Sequence, residues 1–403
     1  MDRVAAAKQR VVTLEGLKAQ SIRTKAVVDQ VRDAIMSPNT GKTPPRFNMT
    51  QLSVFTGLES TQLDNRLRRP GVPTGEKGSS TRRYFSVEDV QEWSRHLRPD
   101  RVRPEGADAA VLVSANLKGG VSKTTTAVCL AHGLSLRGHK VLFIDLDPQA
   151  SGTTFFGLAP ETQVDADDTL FSLFQGEESS VEYAIKKTYW PGIDLIPSNS
   201  GMHGADFILS ARQGQEDGFE FWDVLSHGLE IARGNYDIIV IDTPPSLSFT
   251  AINGLMAADG FIMPLPPKAI DFAATAQFWQ LFLEVVQMCR TPGRAPKRFA
   301  FIDVVLSMVD SGDKATDIVR EWIVGAYGEK VLPVEIPITN ATSTASKTFG
   351  TVYDLILPGT SKERTVASSR TFKRAFESYE RLVELIEGQV QDFWVMQTME
   401  IAA

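Results

Sequence analysis

The chain has 403 residues, with 42 Lys+Arg against 49 Asp+Glu and a formal net charge of −7. Hydrophobic residues at 42% and charged residues at 23% are ordinary globular values, which exclude a disordered or fibrous chain. Two cysteines, Cys129 and Cys289, exclude a disulfide framework and an all-cysteine zinc cage, and no apolar run approaches the roughly 20 residues of a membrane helix.

The start of the chain lacks the apolar stretch of a signal peptide, so an intracellular, cytoplasmic protein is expected. Charge is divided unevenly: residues 1–108 hold 19 basic and 13 acidic residues, whereas residues 109–403 hold 23 and 36. A basic front on an acidic body suits a front that meets a polyanion. The length allows two or three domains, and the expected divisions are 1–40, 41–107 and 108–403.

Residues 1–36 read as one helix, with Val4, Val11, Leu14, Leu17, Ile22, Val27, Val28, Val31 and Ile35 at roughly helical spacing. Such a stripe packs either on a partner subunit, making a homodimer, or on the chain's own domain. Breakers follow at residues 37–41. Residues 46–97 form a compact unit whose front looks like a helix-turn-helix. Leu52, Phe55, Leu58, Leu63 and Leu67 would close its core, Gly57 permits the turn, and Ser60 or Thr61 would cap the second helix. On that helix Gln62, Asn65 and Arg66 are the expected base-facing residues, with Arg68 and Arg69 on phosphates. The loop from Gly71 to Arg83 reads as a basic wing ending in Arg82 and Arg83, and Pro99 to Gly106 as a linker.

From Ala109 the pattern changes to apolar strands alternating with amphipathic helices. Strands are expected at 111–115, 141–144, 237–242, 261–263 and 299–302, and helices at about 123–137, 219–233, 248–258 and 271–289. The expected fold class is α/β: a doubly wound, mostly parallel sheet with its ligand site at the strands' carboxyl ends, preceded by a small helical winged helix-turn-helix domain and an amino-terminal helix. The last helix, about Thr365 to Gln391, offers Arg370, Lys373 and Arg374 as phosphate contacts or as an ordinary solvated face. Its Leu382, Val383, Leu385 and Ile386 belong to the core or to a dimer surface.

The sharpest signal is the segment Asn116, Leu117, Lys118, Gly119, Gly120, Val121, Ser122, Lys123, Thr124, Thr125, Thr126, directly after a predicted strand and opening a predicted helix. The ordinary P-loop needs glycine six residues and one residue before its lysine; here Leu117 and Ser122 stand there. Gly119 and Gly120 still let backbone N–H groups turn toward phosphate oxygens at the positive end of a helix. Lys123 is placed to reach the β- and γ-phosphates, and the Thr124 hydroxyl to ligate Mg2+.

This segment resembles the deviant Walker A motif of the ParA/MinD family of ATPases, and the similarity runs over about residues 109–390. The resemblance implies ATP/ADP and Mg2+ as cofactors and Lys118 as the signature lysine that reaches the phosphates of the other subunit in a sandwich dimer. Ser122 departs from the family's more usual glycine. The segment 141–149 resembles the family's second motif, which makes Asp147 the residue that positions the attacking water and puts Asp145 beside the phosphates. The segment 237–245 resembles Walker B, with Asp242 on magnesium; residues 332–340 resemble the strand and loop near the adenine base.

A helix-turn-helix ahead of the ATPase is the arrangement of the larger plasmid partition ATPases. The resemblance therefore implies an ATP-hydrolysing partition protein that binds non-specific DNA as a dimer at the nucleoid, is stimulated by a ParB-like centromere-binding partner, and represses its own operon by binding operator DNA. Two alternatives are a nucleotide-sensing transcriptional regulator without significant turnover and a MinD-like positioning ATPase. The second would end in a basic amphipathic helix, whereas no basic residue follows Arg381. A nitrogenase-reductase-like reading needs cluster-ligating cysteines, and Cys129 falls inside the phosphate-loop helix.

Overall fold

The structure, a computed structural model, describes residues 13–36, 42–77, 82–290, 293, 296–310, 312, 315–338, 350–354 and 370–402. Val4, Val11, Asn340, residues 365–369 and part of the expected wing (78–81) lie outside the described residues. The chain divides into two units, residues 1–43 and 44–403. In the first, the helix Leu14–Met36 carries Leu14, Leu17, Ile22, Val27 and Val28 exposed to solvent.

In the second unit, helices Met49–Thr56 and Ser60–Leu67 are joined through Gly57, whose φ of 69° is left-handed and open to glycine without strain. Asn48 caps the first helix with a reciprocal bond to Gln51. The second helix is capped by Glu59 rather than by Ser60 or Thr61, because the Gln62 Oε1 accepts the Glu59 N–H at 3.0 Å. Leu52, Phe55 and Leu63 are buried, while Leu58 and Leu67 pack at the margin. Three short strands, β1 (Phe47–Asn48), β2 (Glu76–Lys77) and β3 (Arg83–Phe85), form an antiparallel sheet in the order β1-β3-β2. Helix Val87–Leu97 follows, its N-terminus closed by a capping box between Ser86 and Asp89.

The large sheet has eight strands: β4 (Ala110–Ser114), β5 (Val141–Asp145), β6 (Lys186–Lys187), β7 (Ile193–Ile196), β8 (Ile238–Asp242), β9 (Gly260–Leu265), β10 (Phe301–Val309) and β11 (Val331–Pro337). Their order is β11-β10-β9-β4-β8-β5-β7-β6, parallel throughout except for β6. Strands β4, β5, β8 and β9 are buried at every residue, as crossover helices on both faces require. Alternate residues of β4 feed two cores: Ala110 and Leu112 join the core under helices Lys123–Leu136 and Arg370–Ala402, whereas Val111 and Val113 join the opposite one. Among the described residues no helix is long and apolar enough to cross a membrane.

Several boundaries differ from the sequence reading. Strand β10 starts at Phe301, not Phe299, whose ring packs edge-on against Phe261 at 6.0 Å between centroids. The expected helix at 219–233 is three short pieces, Phe221–Asp223, Val224–Gly228 and Glu230–Asn235. The last helix runs on to Ala402, with Leu382, Val383 and Ile386 in the core. Val383 lies so close to Gly133 that a Cβ there would sit 2.5 Å from it.

The segment read as a linker is fastened down. Gln391 donates to the Arg101 carbonyl at 2.8 Å, and Arg103 bonds Asp237 and the carbonyls of Ala107, Arg233 and Gly234. Helix Val87–Leu97 is fixed to the far end of the phosphate-loop helix. Gln91 donates to Ser135 at 2.6 Å and to the Pro191 carbonyl at 2.7 Å, Ser94 to the Leu136 carbonyl at 2.7 Å, and Arg95 to the Gly138 carbonyl at 2.8 Å. Phe55 meets Phe376 of the last helix edge-on, with centroids 6.0 Å apart.

Candidate active site

Parallel pairing sets the site's geometry. In register, Ser114 of β4 stands opposite Asp242 of β8, and Asp242 opposite Asp145 of β5. Three adjacent strands therefore end at one level, and the loop of residues 115–122 leaves from that edge.

The loop turns where two residues take left-handed backbone, Gly120 at φ 74° and Ser122 at φ 70°. At Ser122 a side chain occupies a conformation that costs a non-glycine residue roughly 1–2 kcal/mol. The Ser122 hydroxyl bonds the adjoining Val121 carbonyl at 2.5 Å. Helix Lys123–Leu136 begins at once, so its free N–H groups and positive dipole end face the loop. Gly119 and Gly120 are exposed there.

Lys123 is only 6% exposed, and its ammonium donates to the Lys118 carbonyl at 3.0 Å. Burial lowers its pKa, while the charges of Asp242 and Asp147 oppose that shift. Lys118 is half-buried, and among the described residues its ammonium has no recorded partner.

The three carboxylates differ sharply. Asp145 is buried and fully engaged: one oxygen accepts the Thr153 N–H at 2.7 Å and hydroxyl at 2.8 Å, and the other accepts the Asp147 N–H at 3.1 Å. Burial pushes its pKa up to about 7 against the hydrogen bonds from Thr153. Asp147 is half-exposed and accepts the Gln149 N–H at 2.9 Å, at the start of a turn in which Ala150 has φ 54°. Asp242 is completely buried, and among the described residues neither oxygen has a partner at hydrogen-bond distance. Burial drives its pKa well above the carboxylate range and the charge of Asp145 adds to this; the nearby Thr124 hydroxyl and Lys123 ammonium oppose it.

An orphaned buried carboxylate beside a lysine and a threonine fits a magnesium ion and phosphates. A cation with hard oxygen preference supplies the missing partner, and phosphate oxygens take the lysine and the loop N–H groups. The structure thus brings together Lys118, Gly119, Gly120, Val121, Ser122, Lys123, Thr124, Thr125, Asp145, Asp147 and Asp242 at one edge of the sheet.

The amino-terminal candidates gather separately. Gln62, Asn65, Arg66, Arg68 and Arg69 are exposed on or just after helix Ser60–Leu67. Arg66 bonds His96 at 3.3 Å, and Arg83 donates to the Thr74 carbonyl at 2.7 Å, which fixes its guanidinium to its own loop. Arg82 is exposed beside it. Arg370, Lys373 and Arg374 are exposed at the start of the last helix, above the buried Phe372 and Phe376.

A family model described as an AAA domain matches residues 109–291. The chain is 33% identical over 256 residues to chromosome partitioning protein ParA of Caulobacter vibrioides, spanning 62% of this chain and 89% of that protein. It belongs to the ParA/SopA-like family of partition ATPases.

Similarity to SopA of Escherichia coli is 28% over 341 residues, 82% of this chain and 86% of SopA, and so extends into the amino-terminal part. A solved structure titled "Partition Protein" has the same fold over 94% of this chain and 98% of its own, at a TM-score of 0.58 and 19% identity. Cobyrinic acid a,c-diamide synthase of Mycobacterium smegmatis, solved with a bound ATP analog and magnesium, covers 68% of this chain and 93% of its own at 25% identity and a TM-score of 0.51.

Sequence reasoning gave no role to Thr153, Asn116 and Ser307. Thr153 locks Asp145, and the other two tie the loop to β9 and β10. Asn116 lies inside the motif, but only the strand pairing reveals its partner. Ser307 is 186 residues from the carbonyl it bonds, and nothing local marks it.

Proposed function

We propose that this ParA/SopA-like chain hydrolyses ATP to ADP and phosphate in order to partition a plasmid. The observation that carries the reading is Asp242, a buried carboxylate with no hydrogen-bond partner among the described residues, set against Lys123 and Thr124 at the mouth of the phosphate loop. In this reading Thr124 and Asp242 hold Mg2+, and Lys123 with the N–H groups of residues 119–125 holds the phosphates. Asp147 orients the water, and Lys118 reaches the nucleotide of the second subunit in a homodimer. Magnesium and ATP, when bound, supply the cation and the cleavable phosphoanhydride.

The ATP-bound dimer binds non-specific DNA in the nucleoid, using Arg370, Lys373 and Arg374. A ParB-like partner on the centromere stimulates turnover. Residues 41–107 act as a winged helix-turn-helix that binds operator DNA through Gln62, Asn65, Arg66, Arg68, Arg69, Arg82 and Arg83, and so represses the operon. Gln62 then reads bases through its amide nitrogen, because its oxygen is taken by Glu59. The protein works in the cytoplasm, away from the membrane.

Binding to unrelated duplex DNA with ATP, ADP and no nucleotide, across a salt series, tests this directly. Binding that requires ATP and weakens steeply with salt is expected. Nucleotide-indifferent binding would overturn the partition mechanism, and operator binding without turnover would leave a nucleotide-sensing regulator. Lys123→Ala is expected to lower turnover by about a hundredfold or more, since removing a charged group that meets developing phosphate charge costs that much.

A further inference from the structure

The Lys118 peptide is held at both ends. Its N–H donates to Asn116 Oδ1 at 3.0 Å, and its carbonyl accepts from the Lys123 ammonium at 3.0 Å. These two holds are not equivalent. The Lys123 ammonium is the group that phosphate oxygens compete for, so the carbonyl is released when phosphates bind. Asn116 has no such competitor. It is 2% exposed, and its amide nitrogen donates to the carbonyl of Pro264, in β9, at 2.9 Å.

Asn116 therefore extends the β4–β9 pairing past the strand end. The last backbone bond of that ladder is Ala115 N–H to the Ile262 carbonyl at 3.1 Å, and the Asn116 side chain makes the next link to Pro264 and passes it to Lys118. A second side chain anchors the other limb of the loop. Ser307 of β10, fully buried, donates to the Val121 carbonyl at 3.0 Å, just before the left-handed Ser122.

We infer that Asn116 is a positioning residue for Lys118: it keeps the Lys118 backbone fixed to β9 once Lys123 turns to phosphate, and so aims the Lys118 ammonium out of its own subunit. This rests on the ATPase reading above for the role of Lys118. The hydrogen-bonded relay itself does not, and so the two can fail separately.

The test is amide hydrogen exchange of the 115–121 segment in the full-length protein without nucleotide, followed by ATP kinetics and ATP-dependent dimerisation by sedimentation. In Asn116→Ala the segment should exchange about tenfold faster, as loss of one buried hydrogen bond allows. Strands β4 and β9 should keep their protection. ATP should still bind with nearly the same KM, while kcat falls about ten- to a hundredfold, as displacement of a reacting group requires. ATP-dependent dimers should be lost. Asn116→Asp retains an acceptor for the Lys118 N–H and should recover part of the protection.

If Asn116→Ala does not fold, Asn116→Ser, with a hydroxyl too short to span both partners, is the variant to use. Ser307→Ala is the contrast, expected to loosen the Val121 side of the loop without the split between KM and kcat. Unchanged exchange at 115–121, or equal losses in KM and kcat, would overturn the inference. Faster exchange in Asn116→Ala, beside a wild-type protein that never hydrolyses ATP, would instead overturn the ATPase reading and leave the relay standing.

Discussion

The two ends of helix Lys123–Leu136 each bury a carboxylate, and they treat it in opposite ways. At the loop end Asp242 has no hydrogen-bond partner among the described residues, and burial drives its pKa well up. At the far end Glu387 is 1% exposed and surrounded by partners: His139 at 2.9 Å, Arg137 at 3.6 Å, and Arg98 in close contact. Burial alone would raise the pKa of Glu387, but the hydrogen bond and charge of His139, then those of Arg98, hold it at about 2. Arg137 is also paired with Glu380 at 3.1 Å. A saturated charge is a fastening, whereas an unsaturated one awaits a ligand. One helix therefore carries a binding site at its start and a joint at its end.

The largest expected effect breaks the joint. Glu387→Gln leaves Arg98, Arg137 and His139 without their shared anion and should destabilise the fold by about 3–5 kcal/mol, read by denaturant unfolding. The pH dependence sharpens the contrast. Glu387, with its pKa lowered from 4.5 to about 2, contributes stability that is present above 4.5 and lost as pH falls through 2. Asp145, raised from 3.8 to about 7, runs the other way: its contribution is present below 3.8 and lost as pH rises to 7. Stability of the protein without nucleotide should therefore fall on both flanks. Glu387→Gln should remove part of the acid flank, and magnesium with nucleotide should reduce the loss near pH 7.

The smallest stability change is expected at the unsaturated end. Asp242→Asn removes a carboxylate whose charge burial already disfavours, so stability without nucleotide should stay within about 1 kcal/mol or rise. Magnesium-dependent turnover should nevertheless be lost. A large destabilisation in that variant would mean that Asp242 is fastened after all, and the contrast between the two ends would fail.

Only one of these ends was legible in the sequence. The loop, its helix and the carboxylates at 145, 147 and 242 all follow local rules: apolar runs ending in aspartate, and glycines ahead of lysine and threonine. Strand β7 escaped because Ile193 to Ile196 is a four-residue run interrupted by Asp194, whose carboxylate is paired with the Lys187 ammonium at 2.8 Å and accepts the Tyr236 hydroxyl at 2.7 Å. The joint escaped for a different reason. Arg98 and Glu387 are separated by 289 residues, and each reads locally as an ordinary surface charge. The fastened arginines of the 99–106 segment looked like a linker for the same reason. Gln91 is equally opaque. Its contact is so close that a Cβ on Gly192 would lie 2.5 Å from its amide nitrogen, but neither residue advertises the other.

The contact of Phe55 with Phe376, and of Arg98 with Glu387, also sets a schedule for synthesis. The amino-terminal module leaves the ribosome nearly 300 residues before the helix that completes its core. At about 5–20 residues per second, that interval is roughly 15–60 s. Throughout it, the face of Phe55 that Phe376 will cover stands open to solvent. The nascent chain is therefore expected to need protection from aggregation until its final helix arrives. Codon changes that slow the middle of the message should lower the yield of folded protein without altering a single residue.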